Sequence, residues 1–253
     1  MALLDVREVT VRFGGIVALD DLSFTIDPGQ ICGLIGPNGA GKTTMFNCVS
    51  RIYQPTAGHI LFEGIDLLDA TAHTIAHRGI ARTFQNLALF PSQTVLENVM
   101  VGAHSRSKAN FLTAPLRIGV RKEDQRLQRR AMEILAELGL ASVALRPAAG
   151  LPYGTLKRIE LARALAAEPR LLLLDEPASG LTHAEVDELA HTIKDTRDRF
   201  GLTVLLVEHH MQMVMGISDK VVVLDFGRKI AEGTPSQVSN DPAVIEAYLG
   251  APA

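Results

Sequence analysis

The sequence predicts an α/β fold, with a parallel-sheet core, an antiparallel β segment over 1–26 and a helical insert. Short apolar runs over 171–175 and 203–207 flank a helical pattern over 182–200. Such alternation of strand and helix is typical of a parallel sheet wrapped by helices. Between about 85 and 165 the pattern is helical instead. The 253 residues suffice for one large domain, or for a core with a smaller subdomain.

Two β-rich runs open the chain, over 5–13 and 16–26, and Gly14-Gly15 separates them. A glycine pair between such runs predicts a β-hairpin. A short apolar strand over 30–35 then precedes a glycine-rich loop and a helix over 42–49. This order predicts an antiparallel β subdomain ahead of the first strand of the core.

A helical region interrupts the strand–helix alternation. A strand over 80–84 is followed by a helical pattern from about 94 to 165, which contains a long charged segment over 121–138. The stretch over 105–119 is the least regular and predicts a loop or a ragged helix. The apolar residues of the charged segment suit one helix face and are Leu127, Met132, Leu135 and Leu138.

We therefore expect a single domain over 1–253 in three parts. The nucleotide-binding core takes about 1–85 and 168–238, and the helical subdomain takes about 86–167. A C-terminal helix occupies about 239–253. The parts follow from the change in periodicity along the chain.

Composition excludes some classes of protein. The chain is 47% hydrophobic and 21% charged, as is usual for soluble globular proteins, and its net charge of -3 gives no general attraction to nucleic acid. The longest apolar runs are strand-sized, whereas a spanning helix needs about 20 apolar residues. The N-terminus lacks the basic leader and apolar core of a signal peptide.

Two residue pairs invite a functional interpretation that we do not favour. Cys32 and Cys48 flank the glycine-rich loop and could form a redox switch, but buried thiols in a reducing compartment are the favoured interpretation. His73 and His77 have the i,i+4 spacing of metal ligands. No acidic or cysteine partner accompanies them, so we interpret them as a solvated face.

The loop after the strand over 30–35 carries the strongest chemical signal in the chain. It fits the pattern G-x-x-x-x-G-K-[ST], in which glycines let successive backbone N–H groups point at phosphate oxygens. Lys42 supplies positive charge to the β- and γ-phosphates, and Thr43 offers a hydroxyl to Mg²⁺. The helix that begins here adds its positive dipole end. The residues predicted to bind a nucleoside triphosphate are Gly36, Pro37, Asn38, Gly39, Ala40, Gly41, Lys42, Thr43 and Thr44.

A second chemical element is an apolar strand that ends in two carboxylates. The run over 171–175 is apolar up to Asp175, and Glu176 follows. A carboxylate in the place of Asp175 suits the Mg²⁺ shell beside the phosphate loop. Glu176 is a candidate general base for an attacking water. Alone, the pair also fits an ordinary strand end, but with the phosphate loop it predicts hydrolysis.

These motifs, in this order, resemble those of the ATP-binding subunits of ABC transporters over nearly the whole length. Gln85 is similar to the family's lid glutamine, and His209 is similar to its switch histidine. Leu151-Pro-Tyr-Gly-Thr155 occupies the place of the signature loop, and Ser179-Gly-Leu-Thr182 that of the dimer-contact loop. The resemblance implies a RecA-like P-loop core that binds and hydrolyses ATP with Mg²⁺.

The resemblance also implies roles for individual residues. The catalytic residues it implies are Glu176, His209, Gln85 and Lys42. The Mg²⁺ ligands it implies are Thr43, Gln85 and Asp175. Phe13 has the position of an aromatic residue that stacks on adenine, with a core phenylalanine as the alternative.

The signature loop departs from the usual Leu-Ser-Gly-Gly-Gln of the family. Pro152 replaces the serine, and Thr155 replaces the glutamine. A serine hydroxyl contact to the γ-phosphate is therefore absent. Gly154 and the N-terminus of the next helix, over 156–167, are left to bind the nucleotide of a partner subunit in trans. An isolated monomer is expected to bind ATP but to hydrolyse it poorly.

Within the family, the chain resembles the ATP-binding subunits of branched-chain amino acid importers. The matching stretches are 12–19, 82–86, 214–219, 232–235 and 240–250. The last stretch predicts a short helix, with Asp241 at the N-cap, Pro242 in the first turn and Gly250 after its end. The apolar stripe expected to pack against the core consists of Val244, Ile245, Tyr248 and Leu249.

This resemblance implies a cytoplasmic subunit on the inner face of the cell membrane. Its partners would be a second ATP-binding subunit, identical or a sister chain, and permease subunits that dock near 85–90. An extracytoplasmic solute-binding protein would act indirectly, and no nucleic acid is involved. Related importers carry urea, amides or aromatic acids, and the sequence of this subunit does not distinguish these solutes from branched-chain amino acids.

Three other classes of protein share parts of this pattern. An exporter or envelope-lipid ATPase of the same fold would share every nucleotide-binding residue. A soluble ABC ATPase usually joins two nucleotide domains or carries a long coiled coil, but this chain has one phosphate loop and no sustained heptads. A small GTPase or P-loop kinase is disfavoured because no Asn/Thr-Lys-x-Asp motif is present and the stretch over 151–155 would be unexplained.

Overall fold

The computed structural model describes residues 1–83, 87–103 and 120–249. The chain divides into two compact units. The first unit combines Met1–Arg82 with Arg170–Ala253, and the second is Thr83–Pro169. In the described part of the chain, no helix is long and apolar enough to cross a bilayer.

The first unit contains an antiparallel sheet of four strands in the order β2-β1-β4-β5. Its strands are β1 (Leu4–Phe13), β2 (Ile16–Ile26), β4 (Ala57–Phe62) and β5 (Ile65–Asp66). Phe13 pairs with Ile16 across the turn at Gly14-Gly15, which confirms the predicted hairpin. The sheet therefore begins where the sequence predicts, and later residues complete it.

The same unit contains a six-stranded sheet in the order β10-β9-β3-β8-β7-β6. Its strands are β3 (Ile31–Ile35), β6 (Ile80–Arg82), β7 (Leu171–Asp175), β8 (Thr203–Val207), β9 (Lys220–Asp225) and β10 (Arg228–Gly233). Neighbouring strands pair in parallel from β9 to β6, and β10 pairs antiparallel at the edge. Every residue of β3, β7 and β8 is buried, because a parallel sheet has both faces covered.

Five helices of the first unit are described: α1 (Lys42–Val49), α5 (His183–Phe200), α6 (Met211–Ile217), α7 (Pro235–Ser239) and α8 (Pro242–Leu249). Met45, Phe46, Cys48 and Val49 of α1 are fully buried, and they join a core that spans both sheets. Burial of about 1.5–3 kcal/mol per large side chain anchors this helix directly behind the glycine-rich loop. The fold confirms the predicted α/β class.

Three helices of the second unit are described: α2 (Val95–Gly102), α3 (Val120–Glu137) and α4 (Tyr153–Leu165). The charged helix predicted over 121–138 corresponds to α3. The helix predicted to begin at Leu156 begins three residues earlier, so Gly154 lies in its first turn. Pro152 has the extended backbone of an N-cap, and its carbonyl accepts from the Leu156 N–H at 3.0 Å. The irregular stretch predicted over 105–119 lies outside the described residues.

The C-terminal helix α8 begins as predicted but packs less of its apolar stripe. The Asp241 Oδ1 atom accepts from the Ala243 N–H at 2.8 Å, which caps the helix start. Val244 is buried, whereas Ile245 and Tyr248 are exposed. The predicted packing against the core is therefore confirmed for Val244 and wrong for Ile245, whereas the ring of Tyr248 is only partly covered. A helix of eight residues turns only part of its surface toward β10. The side chain of Leu249 lies outside the described residues.

The two residue pairs considered for redox or metal chemistry have ordinary surroundings. Cys32 and Cys48 are free and buried, and burial raises the pKa of each thiol to about 12. Such thiols are almost entirely protonated and unreactive at neutral pH. His73 and His77 are exposed, as the solvated-face interpretation predicted.

Candidate nucleotide-hydrolysis site

The glycine-rich loop lies at the carboxyl end of β3 and leads into α1. Gly36 has φ 151° and Gly41 has φ 102°, a backbone that favours glycine. A Cβ atom at Gly36 would lie 2.1 Å from the Leu224 carbonyl oxygen, and one at Gly41 would lie 2.7 Å from the Ala18 carbonyl oxygen. Both glycines are therefore required by conformation and by space.

Lys42, the first residue of α1, folds back over the loop. Its Nζ atom donates to the Gly36 carbonyl at 2.7 Å and to the Pro37 carbonyl at 2.9 Å. Burial lowers the pKa of Lys42, and the nearby negative charge of Glu176 opposes that shift. The ammonium group is thus held over the loop by two backbone carbonyls.

Asp175 ends β7 and forms a buried ion pair that the sequence did not reveal. The Arg82 Nη2 atom lies 2.6 Å from the Asp175 Oδ2 atom, with side chains only 10% and 9% exposed. Arg82 also donates to Asn47 Oδ1 at 2.8 Å and to Ser50 Oγ at 2.9 Å. Arg82 therefore links strand β6, helix α1 and the carboxylate of Asp175.

Glu176 follows Asp175 in a left-handed backbone conformation, with φ 46°. Its N–H donates to the Val207 carbonyl at 2.9 Å, and its carbonyl accepts from the Ser179 N–H at 3.1 Å. Such a backbone costs of order 1–3 kcal/mol for a residue other than glycine and occurs often at functional sites. Its Oε2 atom lies 4.0 Å from the Nδ1 atom of His209.

Glu208 holds the backbone of His209 in place and was not predicted as a functional residue. Its side chain is fully buried, and its carboxylate accepts three backbone N–H groups. The donors are Ala178 at 2.8 Å, His209 at 2.8 Å and His210 at 3.0 Å. Glu208 therefore fixes both the segment after Glu176 and the segment that carries His209. A glutamate directly after a buried apolar strand and before two histidines was the available signal.

We expect Glu208→Gln to lower both stability and ATP turnover. Glutamine offers one acceptor oxygen, and its NH₂ group would face a backbone N–H donor, which leaves a buried donor unsatisfied. The free energy of unfolding should fall by about 1–3 kcal/mol, measured by urea denaturation. Glu246→Gln, at an exposed glutamate, is the matched control and should change neither quantity. Equal stability of the two variants would contradict this role of Glu208.

A pocket of about 340 Å³ lies beside the glycine-rich loop. It is lined by Ile16, Val17 and Ala18 of β2, by loop residues 39–44 and by Phe226. Phe13 is 45% exposed, and its ring meets Tyr53 edge-on with centroids 5.1 Å apart. The alternative of a core phenylalanine is therefore wrong.

The C-terminal helix reaches the glycine-rich loop. The hydroxyl of Tyr248, the last described side chain of α8, lies near the backbone amide of Gly36. Partial burial raises the pKa of that hydroxyl, and the amide contact acts in the opposite direction. The start of the glycine-rich loop therefore lies close to the last turn of α8.

The remaining predicted site residues belong to the second unit or lie beyond the described residues. Gly154 occupies the first turn of α4, next to the exposed Tyr153. Gln85 lies outside the described residues. The segment just after it is held by Asn98, whose amide exchanges hydrogen bonds with the backbone of Phe90, and by Arg163, which donates to the Ala88 carbonyl at 2.5 Å.

Comparisons with known proteins identify the family. The family model "ABC transporter" matches residues 19–179, and the model "Branched-chain amino acid ATP-binding cassette transporter" matches residues 228–253. The chain is 42% identical over 249 residues to the high-affinity branched-chain amino acid transport ATP-binding protein BraF of Pseudomonas aeruginosa. It is equally similar to LivG of Escherichia coli K12, and the match covers 98% of each chain in both cases.

Solved structures give the same result. A nucleotide-free ATP-binding cassette from an ABC transporter superposes with a TM-score of 0.85 at 30% identity, over 99% of this chain and 100% of that one. An ATP-binding cassette in its ADP conformation superposes with a TM-score of 0.86, also at 30% identity, over 99% of each chain. The chain belongs to the ATP-binding proteins of the ABC transporter family. It is an ATPase of that family, as its sequence predicted.

Proposed function

We propose that this ATPase drives uptake of branched-chain or other hydrophobic amino acids across the cytoplasmic membrane. The observation that carries the proposal is the match of residues 228–253 to a family model specific to branched-chain amino acid cassettes. The two relatives that are 42% identical bear names for high-affinity transport of these amino acids. We place the chain on the cytoplasmic face of the membrane, bound to permease subunits near 85–90.

The proposed hydrolysis uses groups at the carboxyl ends of β3, β7 and β8. Loop residues 36–44 bind the phosphates of ATP, and Lys42 neutralises charge on the β- and γ-phosphates. Glu176 accepts a proton from the attacking water. Its carboxylate lies 4.0 Å from the ring of His209. His209 donates to the γ-phosphate and holds it during attack. Phe13 presents an exposed ring to adenine.

The oxygen donors of the site fit Mg²⁺. Thr43 offers a hydroxyl and Asp175 a carboxylate, both of the hard oxygen type that Mg²⁺ prefers. We assign Gln85 as a further ligand from the resemblance of its sequence position. When bound there, Mg²⁺ would supply positive charge that offsets the charge on the phosphates. Arg82 already holds the Asp175 carboxylate in place at 2.6 Å.

We propose that two ATP-binding subunits complete the site. Gly154 and the first turn of α4 would contact the nucleotide held by a partner, with backbone N–H groups in place of the missing serine hydroxyl. Closure of the dimer would move the segment around 85–90 and the permease bound there. A solute-binding protein outside the membrane would deliver the amino acid to the permease.

An uptake assay tests this function. Cells from which the gene is deleted should lose high-affinity uptake of radiolabelled leucine, isoleucine and valine. A plasmid that encodes the parent chain should restore uptake, whereas one that encodes Glu176→Gln should not. Unchanged leucine uptake in the deletion strain, with loss of urea, amide or aromatic acid uptake, would contradict the proposed substrate class. Loss of none of these would contradict a role in import.

A further inference from the structure

The turn between β9 and β10 places an aromatic residue in an unfavourable position. Asp225 pairs with Arg228, so the turn has only two residues, Phe226 and Gly227, with φ 40° and 80°. Two positive φ values characterise a type I′ turn, in which Asn-Gly is strongly preferred. A bulky residue with positive φ is a genuine outlier. Phe226 therefore strains the backbone where asparagine would not.

Phe226 gains no burial in return. Its side chain is 85% exposed, the largest exposure of any described aromatic residue. Burial of a phenylalanine contributes about 1.5–3 kcal/mol, and an exposed ring forgoes most of that. Neither the backbone nor the packing of this chain explains the choice of residue. An outlier of this kind supports a functional hypothesis.

The turn is held rigidly beside the glycine-rich loop. The Gly227 N–H donates to the Ala40 carbonyl at 3.1 Å, and the Gly227 carbonyl accepts from the Asp20 N–H at 3.0 Å. Arg228 forms an ion pair with Asp20, with 2.5 Å between Nη2 and Oδ2. The turn is therefore tied to the loop on one side and to β2 on the other. Phe226 forms part of the wall of the pocket described above.

We infer that Phe226 is a contact residue for the nucleoside half of bound ATP. The loop that would bind the phosphates lines the same pocket as Val17, Ala18 and Phe226. Of the described residues that line this pocket, Phe226 is the aromatic one, and every purine offers a flat face to such a ring. This contact adds to the one proposed for Phe13, which is not among the residues that line this pocket. It concerns the nucleotide alone and does not depend on the transported solute.

The test compares ADP with pyrophosphate, which carries the phosphates without the nucleoside. Phe226→Asn should weaken ADP binding roughly tenfold by isothermal titration calorimetry, since a stacked base contributes about 1–3 kcal/mol. Its affinity for pyrophosphate should equal that of the parent. Because asparagine suits the turn, the nucleotide-free variant should melt about 2–4 °C higher. Affinity and stability would then change in opposite directions, which misfolding cannot produce. Phe226→Tyr should keep ADP affinity near that of the parent.

A matched control is available at the turn between β4 and β5. Glu63 and Gly64 have φ 52° and 79°, so this turn has the same backbone and lies outside the pocket lining. Glu63→Asn should leave the affinities for ADP and pyrophosphate unchanged. The inference is overturned if Phe226→Asn binds ADP as tightly as the parent. It is also overturned if pyrophosphate and ADP weaken equally, since the loop itself would then be disturbed.

Discussion

Glu176→Gln is expected to reduce steady-state ATP turnover by about 10²–10⁴-fold while ATP binding persists. The substitution keeps the size and the hydrogen-bonding reach of the side chain but removes its ability to accept a proton from water. The glycine-rich loop and Lys42 are unaltered, so the phosphates should still bind. Turnover is measured by phosphate release, and binding by calorimetry with ATP in the presence of EDTA.

The control substitution must also lie at a residue with positive φ, because Glu176 has φ 46°. Glu63→Gln makes the same chemical change at a residue with φ 52°, and its side chain pairs with Arg170 away from the pocket. That variant should hydrolyse ATP at the parental rate. Parental turnover by Glu176→Gln would remove the general base from the proposed mechanism.

Arg82→Met is expected to lower the free energy of unfolding by about 3–5 kcal/mol. The substitution leaves the buried carboxylate of Asp175 without the guanidinium 2.6 Å away, and removes the donors to Asn47 and Ser50. The loss is measured by urea denaturation in the absence of nucleotide. Mg²⁺ should offset part of it, because it would supply a positive charge to the same carboxylate.

A surface pair provides the comparison for this prediction. Arg7 and Asp5 are also 2.6 Å apart, but the Arg7 side chain is 60% exposed. Arg7→Met should leave the free energy of unfolding nearly unchanged, since water screens and replaces an exposed ion pair. The double variant Arg82→Met/Asp175→Asn should be more stable than Arg82→Met alone, because it removes the unpaired charge. Equal losses in Arg7→Met and Arg82→Met would show that burial does not set the strength of the pair.

The sequence was most informative where one residue type satisfies a local requirement. Positions 36 and 41 have positive φ and leave no space for a side chain. Glycine alone meets both requirements, so the sequence shows them as a pattern of glycines. The apolar run that ends at Asp175 was likewise visible, since a strand buried on both faces has few polar residues.

Residues whose roles depend on distant partners were not predictable. Arg82 lies 93 positions from Asp175, and Glu208 lies 30 positions from Ala178. The two members of each pair meet because of the order of strands in the sheet. No local sequence pattern specifies that order. Phe226 was missed for a different reason, because only the backbone reveals that its turn requires a positive φ. Helix α4 begins earlier than the sequence predicted, because Pro152, which the sequence assigns to a loop, is the N-cap of this helix.

The contact between Tyr248 and Gly36 has a practical consequence for handling the protein. Because Tyr248 lies near the first residue of the glycine-rich loop, a nick in α8 near residue 248 is expected to disturb that loop. Proteolytic clipping at that point during purification is therefore expected to lower nucleotide affinity. Preparations that differ by a few C-terminal residues would then differ in apparent ATPase activity, and mass spectrometry of the intact chain would identify the cause.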